Sequence, residues 1–146
     1  MITVLADPVI DIIHIDFGFM LSNSPGSLGF ELAPFKLTQE YVDVIGGQGS
    51  ERFQQFRQLC KHSFQALRKR SDDLVDLVEM MGRESRMPCF SSGVGYATTC
   101  LKQRFQLQLS EQEAEIFVDD HLITKSLGSY YTRGAYSPFT IFSYVE

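Results

Sequence analysis

One carboxylate in this chain stands where chemistry could be done. In Ile12-Ile13-His14-Ile15-Asp16-Phe17-Gly18 an apolar, β-branched run ends in an acid, then an aromatic, then a glycine. A strand that ends this way presents hard carboxylate oxygens at a fixed point. Asp16 so held is suited to binding Mg²⁺ against the phosphates of a nucleotide. Phe17 in this pattern packs inward and sets the direction of the acid, and Gly18 permits the backbone to turn. The bland alternative is a turn aspartate after a strand. A phosphoryl-transfer site built round such a ligand also needs a base, a phosphate-gripping lysine and a glycine-rich loop, all expected earlier in the chain. Only Met1 to Ile15 precede Asp16.

The stretch from Phe19 to Ala33 is predicted to be a long loop. It holds Asn23, Pro25, Gly26 and Gly29 and three serines (Ser22, Ser24, Ser27), and long loops in compact domains are usually functional. It contains no Lys or Arg and a single acid, Glu31. A surface that recognises an already phosphorylated group presents cations to it, and this loop offers none.

Those residues need elements to position them. Ile2 to Leu5 and Val9 to Ile15 are β-branched runs divided by the turn signal Asp7-Pro8, which predicts a β-hairpin leading into Asp16. After Pro34-Phe35 the chain turns helical. Thr38 is placed to cap a helix running to about Ile45, which Gly46-Gly47 ends. Ser50 caps the next helix, where Phe53, Phe56, Leu59, Cys60, Phe64 and Leu67 recur at spacings of three and four. Arg68-Lys69-Arg70 closes it, as a solvated helix end or a patch for anionic lipid. Asp72-Asp73 opens a helix with Leu74, Val75, Leu77, Val78 and Met81, ending at Gly82. Met87-Pro88-Cys89-Phe90 reads as an apolar anchor in a polar stretch, and Tyr96 to Leu107 as a helix. Ser110 and Glu113 form a capping box for a last helix through Phe117, Val118 and Leu122.

Composition sets the outer limits. The 146 residues, 44% of them apolar, are enough for one globular domain with a core. A net charge of −5 argues against nucleic acid as the main partner. The odd set Cys60, Cys89 and Cys100 has no metal-binding spacing and reads as free thiols. No signal peptide or membrane-spanning run is apparent. The fold class is mostly α with a small β-hairpin.

The motifs together match a family. His14-Ile15-Asp16-Phe17-Gly18, followed by Pro34-Phe35-Lys36-Leu37-Thr38, is similar to the lipid kinases that phosphorylate phosphatidylinositol. Ser24-Pro25-Gly26-Ser27-Leu28-Gly29-Phe30-Glu31 and Glu40-Tyr41-Val42-Asp43-Val44-Ile45-Gly46-Gly47 resemble the type III phosphatidylinositol 4-kinases, nearer the beta (fungal-like) branch than the alpha. Met87-Pro88-Cys89-Phe90 and Leu101-Lys102-Gln103-Arg104-Phe105 continue the likeness. The resemblance implies a partial C-lobe of a protein-kinase-like (PI3/PI4-kinase) fold over residues 1–133, with a divergent tail over 134–146. The family's Asp-Arg-His-x-x-Asn catalytic loop is absent from these 146 residues, as are its N-lobe lysine and glycine-rich loop.

What the resemblance implies is an ATP- and Mg²⁺-dependent lipid kinase acting on the 4-hydroxyl of phosphatidylinositol in a membrane. Asp16 is then the catalytic metal ligand. Ile15, Asp16, Phe17 and Gly18 form the cofactor-binding segment, with Ile15 beneath the adenine. His14 faces the phosphates or serves as a structural histidine. Phe19, Ser24, Pro25, Gly26, Gly29 and Phe30 form the substrate loop, whose lack of cations suits unphosphorylated phosphatidylinositol or marks a mere linker. Lys36 touches the 1-phosphate or simply extends along a helix start. The implied setting is cytoplasmic, peripheral at Golgi-type membranes, with regulatory proteins as further partners. These residues alone are expected to be inactive, with exposed apolar surface where an N-lobe would pack. The competing expectation is a non-catalytic membrane- or kinase-docking module. A protein-kinase C-lobe fits less well, because no Ala-Pro-Glu follows the loop.

Overall fold

The computed structural model describes the backbone of residues 2–6 and 9–13, then residues 20, 21, 23, 34 and 35, and residues 37–128. The predominance of helix is as expected. Ile2–Ala6 (β1) runs antiparallel to Val9–Ile13 (β2), with Ile2 opposite Ile13 and Ala6 opposite Val9. The remaining elements are helical: α1 (Gln39–Val44), α2 (Glu51–Lys69), α3 (Ser71–Gly82), a short 3-10 turn (Pro88–Phe90), α4 (Val94–Arg104), α5 (Glu111–Phe117), a π-helical stretch (Val118–Ile123) and α6 (Thr124–Gly128).

Local chemistry explains most boundaries. The Thr38 hydroxyl accepts from the Tyr41 N–H at 3.5 Å, and the Ser50 hydroxyl accepts from the Phe53 N–H at 3.0 Å. Each satisfies a donor that a helix start leaves unpaired. Gly46 and Gly47 follow α1 with φ of +96° and +86°, a backbone that L side chains adopt only under strain. At α5 the Ser110 hydroxyl accepts from the Glu113 N–H at 3.3 Å, while the Ser110 N–H donates to the Glu113 carboxylate at 2.8 Å. That capping box holds the exposed Glu113 carboxyl below its ordinary range, chiefly through the Ser110 backbone donor. Helix α4 starts at Val94 and stops at Arg104, so it is shifted from the expected 96–107. Gln106 at φ +49° ends it.

Two apolar clusters organise the helices. The first joins Leu37, Val42, Phe53, Val118 and Ile123, flanked by Phe56, Cys60 and Phe64 of α2 and by Leu122 and Leu127. Phe64 stacks on Phe117 with ring centroids 5.7 Å apart, and Phe117 stacks on His121 at 5.2 Å. The second cluster joins Cys89, Phe90 and Ala97, flanked by Met20, Leu21, Val78, Met87 and Val94. The predicted α2 stripe is therefore narrower than expected. Phe53, Phe56, Cys60 and Phe64 face the core, whereas Leu59 is 64% exposed and Leu67 46%. Leu59 lies about 60° outside the line that residues 53, 56, 60 and 64 draw along one side of a 3.6-residue helix, whereas Leu67 falls on that line and is exposed near the helix end. On α3, Val75 and Val78 turn inward and Leu77 and Met81 are exposed.

The π-helical stretch keeps the last helix on the core. Ala114 and Val118 are buried four residues apart, but the next buried residue, Ile123, comes five later and Ser126 three after that. An uninterrupted α-helix would carry Ile123 about 140° past the line of Val118, and the wider turn takes up the extra residue.

Candidate functional site

Every residue expected at the site lies outside the described residues: Ile15, Asp16, Phe17, Gly18, Phe19, Ser24, Pro25, Gly26, Gly29, Phe30 and Lys36, together with His14. The tail over 134–146 does as well. The described residues instead build what flanks the segment between Leu21 and Pro34 on both sides.

On the near side stand Met20 and Leu21. The Asn23 N–H donates to the Met20 carbonyl at 2.9 Å and closes a turn in which Leu21 takes φ +54°. A leucine in the left-handed region is held there by its surroundings, at a cost of order 1–3 kcal/mol. Two contacts hold it. Its side chain packs on Cys89, Phe90 and Ala97, and its carbonyl accepts from the Arg104 guanidinium at the end of α4.

On the far side, Pro34 and Phe35 are exposed and form a bend. The Phe35 N–H donates to the Ser126 hydroxyl at 3.4 Å. Ser126 is fully buried in α6. Two residues on, Leu37 is a member of the first cluster. The near end is thus fixed on α4 and the second cluster, the far end on α6 and the first. Arg104 was visible in the sequence only within the Leu101–Phe105 likeness. Ser126 carried no signal beyond being a small polar residue beside Leu127, and nothing in the local sequence marked Leu21.

A charged cluster joins α2 to the π-helical stretch. Arg57 and Lys61 are four apart on α2, beside the buried stripe, and both meet Asp119. The Arg57 Nε lies 2.9 Å from one carboxylate oxygen and the Lys61 Nζ 2.6 Å from the other. Burial pushes the Asp119 carboxyl up, but hydrogen bonds and charge from Arg57 and Lys61 outweigh it and hold the group below the usual carboxylate range. The hydrogen bond to Asp119 raises Arg57 in turn. Cys60, half-buried between them, is raised by burial and by the Asp119 charge, so its thiolate is disfavoured.

The basic run at the end of α2 divides. Arg68 is not a solvated helix end. Its guanidinium donates to the carbonyls of Leu109, Gln106 and Ser110 and to the Gln65 side chain, which ties α2 to the α4–α5 turn. Its Nε is buried without a partner. Lys69 and Arg70 are exposed, and Arg70 pairs with Asp73 at 2.9 Å.

Among the described residues no group of three or more His, Cys, Asp or Glu side chains could hold a metal ion. No described helix is long and apolar enough to cross a membrane. Asp16, the acid expected to hold a divalent cation, lies outside the described residues, and a bound nucleotide and water would supply the remaining oxygens. That donor set fits Mg²⁺, which commonly takes only one or two protein carboxylates.

Residues 5–92 match the family model described as phosphatidylinositol 3- and 4-kinase. The chain is 57% identical over 120 residues to phosphatidylinositol 4-kinase PIK1 of Saccharomyces cerevisiae, covering 82% of this chain and 11% of that protein. It is 56% identical over 122 residues to phosphatidylinositol 4-kinase PIK1alpha of Candida albicans, covering 84% of this chain and 12% of that protein. To phosphatidylinositol 4-kinase beta of Xenopus laevis it is 40% identical over 130 residues, covering 89% and 16%. The chain thus spans between about a tenth and a sixth of the length of these relatives.

Proposed function

This chain belongs to the phosphatidylinositol 3- and 4-kinase family, and from that premise we propose that it is the C-lobe segment of a kinase that transfers the γ-phosphate of ATP to the 4-hydroxyl of phosphatidylinositol. The observation that carries this reading is the family match over residues 5–92, which brackets Asp16, the cation-free loop and Lys36 together. The relatives named phosphatidylinositol 4-kinase favour the 4-hydroxyl over the 3-hydroxyl. Residues 1–133 are the partial C-lobe, with β1 and β2 as the small hairpin that leads into Asp16, and residues 134–146 are a divergent tail.

Each residue then has one task. Asp16 would hold Mg²⁺, which would neutralise charge on the triphosphate. Ile15 lies beneath the adenine. Phe17 aims the carboxylate and Gly18 lets the chain turn away from it. Phe19, Ser24, Pro25, Gly26, Gly29 and Phe30 form the surface that receives the inositol ring, and Lys36 meets the 1-phosphate. A headgroup that already carries ring phosphates would leave those charges unpaired against a loop without Lys or Arg, so the loop selects the unphosphorylated ring. In the transfer, a bond forms from the 4-oxygen to the γ-phosphorus as the bond to the β-phosphate oxygen breaks. The hydroxyl proton requires a base, and the family's Asp-Arg-His-x-x-Asn motif is not among these 146 residues.

The 146 residues alone are therefore proposed to be inactive. In a radiolabelled lipid-kinase assay with ATP, Mg²⁺ and phosphatidylinositol vesicles, the purified chain is expected to give no product above background. Asp16-dependent turnover by the chain alone would contradict this. Binding to the same vesicles without ATP, unaffected by Asp16→Asn, would favour the docking module instead. The family resemblance supports a parent enzyme that is cytoplasmic and peripheral at Golgi-type membranes.

A further inference from the structure

The segment proposed to receive the inositol ring enters and leaves through two contacts of different kind. At its near end a cation reaches in from α4, where the Arg104 guanidinium holds the Leu21 carbonyl. At its far end a buried hydroxyl reaches out from α6, where Ser126 accepts the Phe35 N–H. Neither contact is needed to complete a helix. Arg104 is exposed and the last residue of α4, and the α4 end is already tied to α2 by Arg68 through the Gln106 carbonyl. Leu21 meanwhile sits at φ +54°, a conformation that a leucine leaves readily unless both its side chain and its carbonyl are engaged. The two anchors also stand on separate clusters, so one can be lost while the other stays.

We propose that Arg104 and Ser126 are positioning residues that fix the two ends of the segment between Leu21 and Phe35 on α4 and α6, and thereby set where that segment meets phosphatidylinositol. The proposal rests on the reading of that segment as the headgroup loop. Neither residue touches substrate. A guanidinium on a carbonyl is among the stronger hydrogen bonds a protein makes, and a buried hydroxyl keeps its partner because water cannot replace it.

The test uses Arg104→Met, which keeps the aliphatic stem and removes the donors, with Arg104→Lys as the conservative variant and Ser126→Ala at the far end. Amide exchange is followed in the 146-residue chain. Lipid and ATP kinetics are followed in the complete product of the gene. Arg104→Met is expected to raise exchange around residues 20–23 at least tenfold and leave α5 and α6 unchanged. The KM for phosphatidylinositol should rise about three- to tenfold, the scale of one ordinary net hydrogen bond at an exposed site, with the KM for ATP unchanged. Arg104→Lys is expected to recover part of both effects, and Ser126→Ala to raise exchange around residues 34–37. Unchanged exchange in both Arg104→Met and Ser126→Ala would overturn the proposal and leave the headgroup loop standing. Raised exchange with an unchanged KM for lipid would overturn it by the other route, because the segment would then not receive the headgroup. Since Arg104 is exposed, its variants are expected to melt as the parent does, and an equal rise of exchange along the whole chain would assign Arg104 to stability alone.

Discussion

Gly82 shows how tightly single atoms are placed where α3 meets α4. A methyl group there would stand 2.7 Å from Cγ2 of Val94 and 2.9 Å from Cε1 of Phe90, closer than carbon atoms approach. Gly82→Ala is expected to destabilise the chain by about 1–3 kcal/mol, seen as a lower urea midpoint with an unchanged slope. Gly95 has nothing within 4 Å of the same added atom, so Gly95→Ala should stabilise by up to about 1 kcal/mol through helix propensity. Asp119 gives a prediction in pH. Its folded pKa lies below the ordinary carboxylate value, so its contribution is present above that ordinary value and is lost as pH falls through the folded one. Asp119→Asn should flatten the acid side of the stability profile. At neutral pH it should cost about 1–3 kcal/mol, because Lys61 is left partly buried without its counter-charge. The caps at Thr38, Ser50 and Ser110 were legible in the sequence, because an N-cap is a local contact between residues three apart. The Asp119 pair was not, since 62 residues separate Arg57 from its partner.

The last helix carries its information in its register. Periodicity alone extends it smoothly past Phe117, yet Ile123 and Ser126 are buried only because Val118–Ile123 winds wider than an α-helix. Deleting Asp120, an exposed residue of that stretch, should remove the extra residue, restore α-helical winding and leave Ile123 four residues after Val118, still facing the core. The expected outcome is a cooperative melt within about 1 kcal/mol of the parent's, because no buried side chain is removed or turned away. Loss of the cooperative melt would show that the wide turn itself is required, and not only the register it preserves. The same reasoning explains what was legible at this scale. The existence and order of the helices followed from caps, glycines and apolar spacing. Their ends shifted where tertiary contacts decided them, as at α4, and the α2 stripe lost Leu59 and Leu67 because a spacing rule does not say how wide the neighbouring helix is. Among the site residues, Asp16-Phe17-Gly18 stood out because three consecutive residue types carry the pattern. Arg104 and Ser126 act through main-chain atoms of distant residues and leave no such mark.

At the scale of the whole molecule, two clusters hold the ends of one segment, and the family match extends across both that segment and the acid ahead of it. Nothing in the described helices competes for the chemistry. Their polar residues are caps, ion pairs and ties between elements, and among the described residues none forms a metal-binding group. The reaction is proposed to rest on Asp16, with the helical bundle as the body that steadies the segment after it. The most direct measurement is phosphatidylinositol phosphorylation by the complete product of the gene, with the product's phosphate position identified, compared between the parent and Asp16→Asn. The account predicts phosphatidylinositol 4-phosphate from the parent and a loss of about 10²–10³-fold in kcat for the variant, the scale of losing a metal ligand worth several kcal/mol in the transition state. A variant that keeps the parent's rate, or a parent whose product carries its new phosphate elsewhere on the ring, would contradict it.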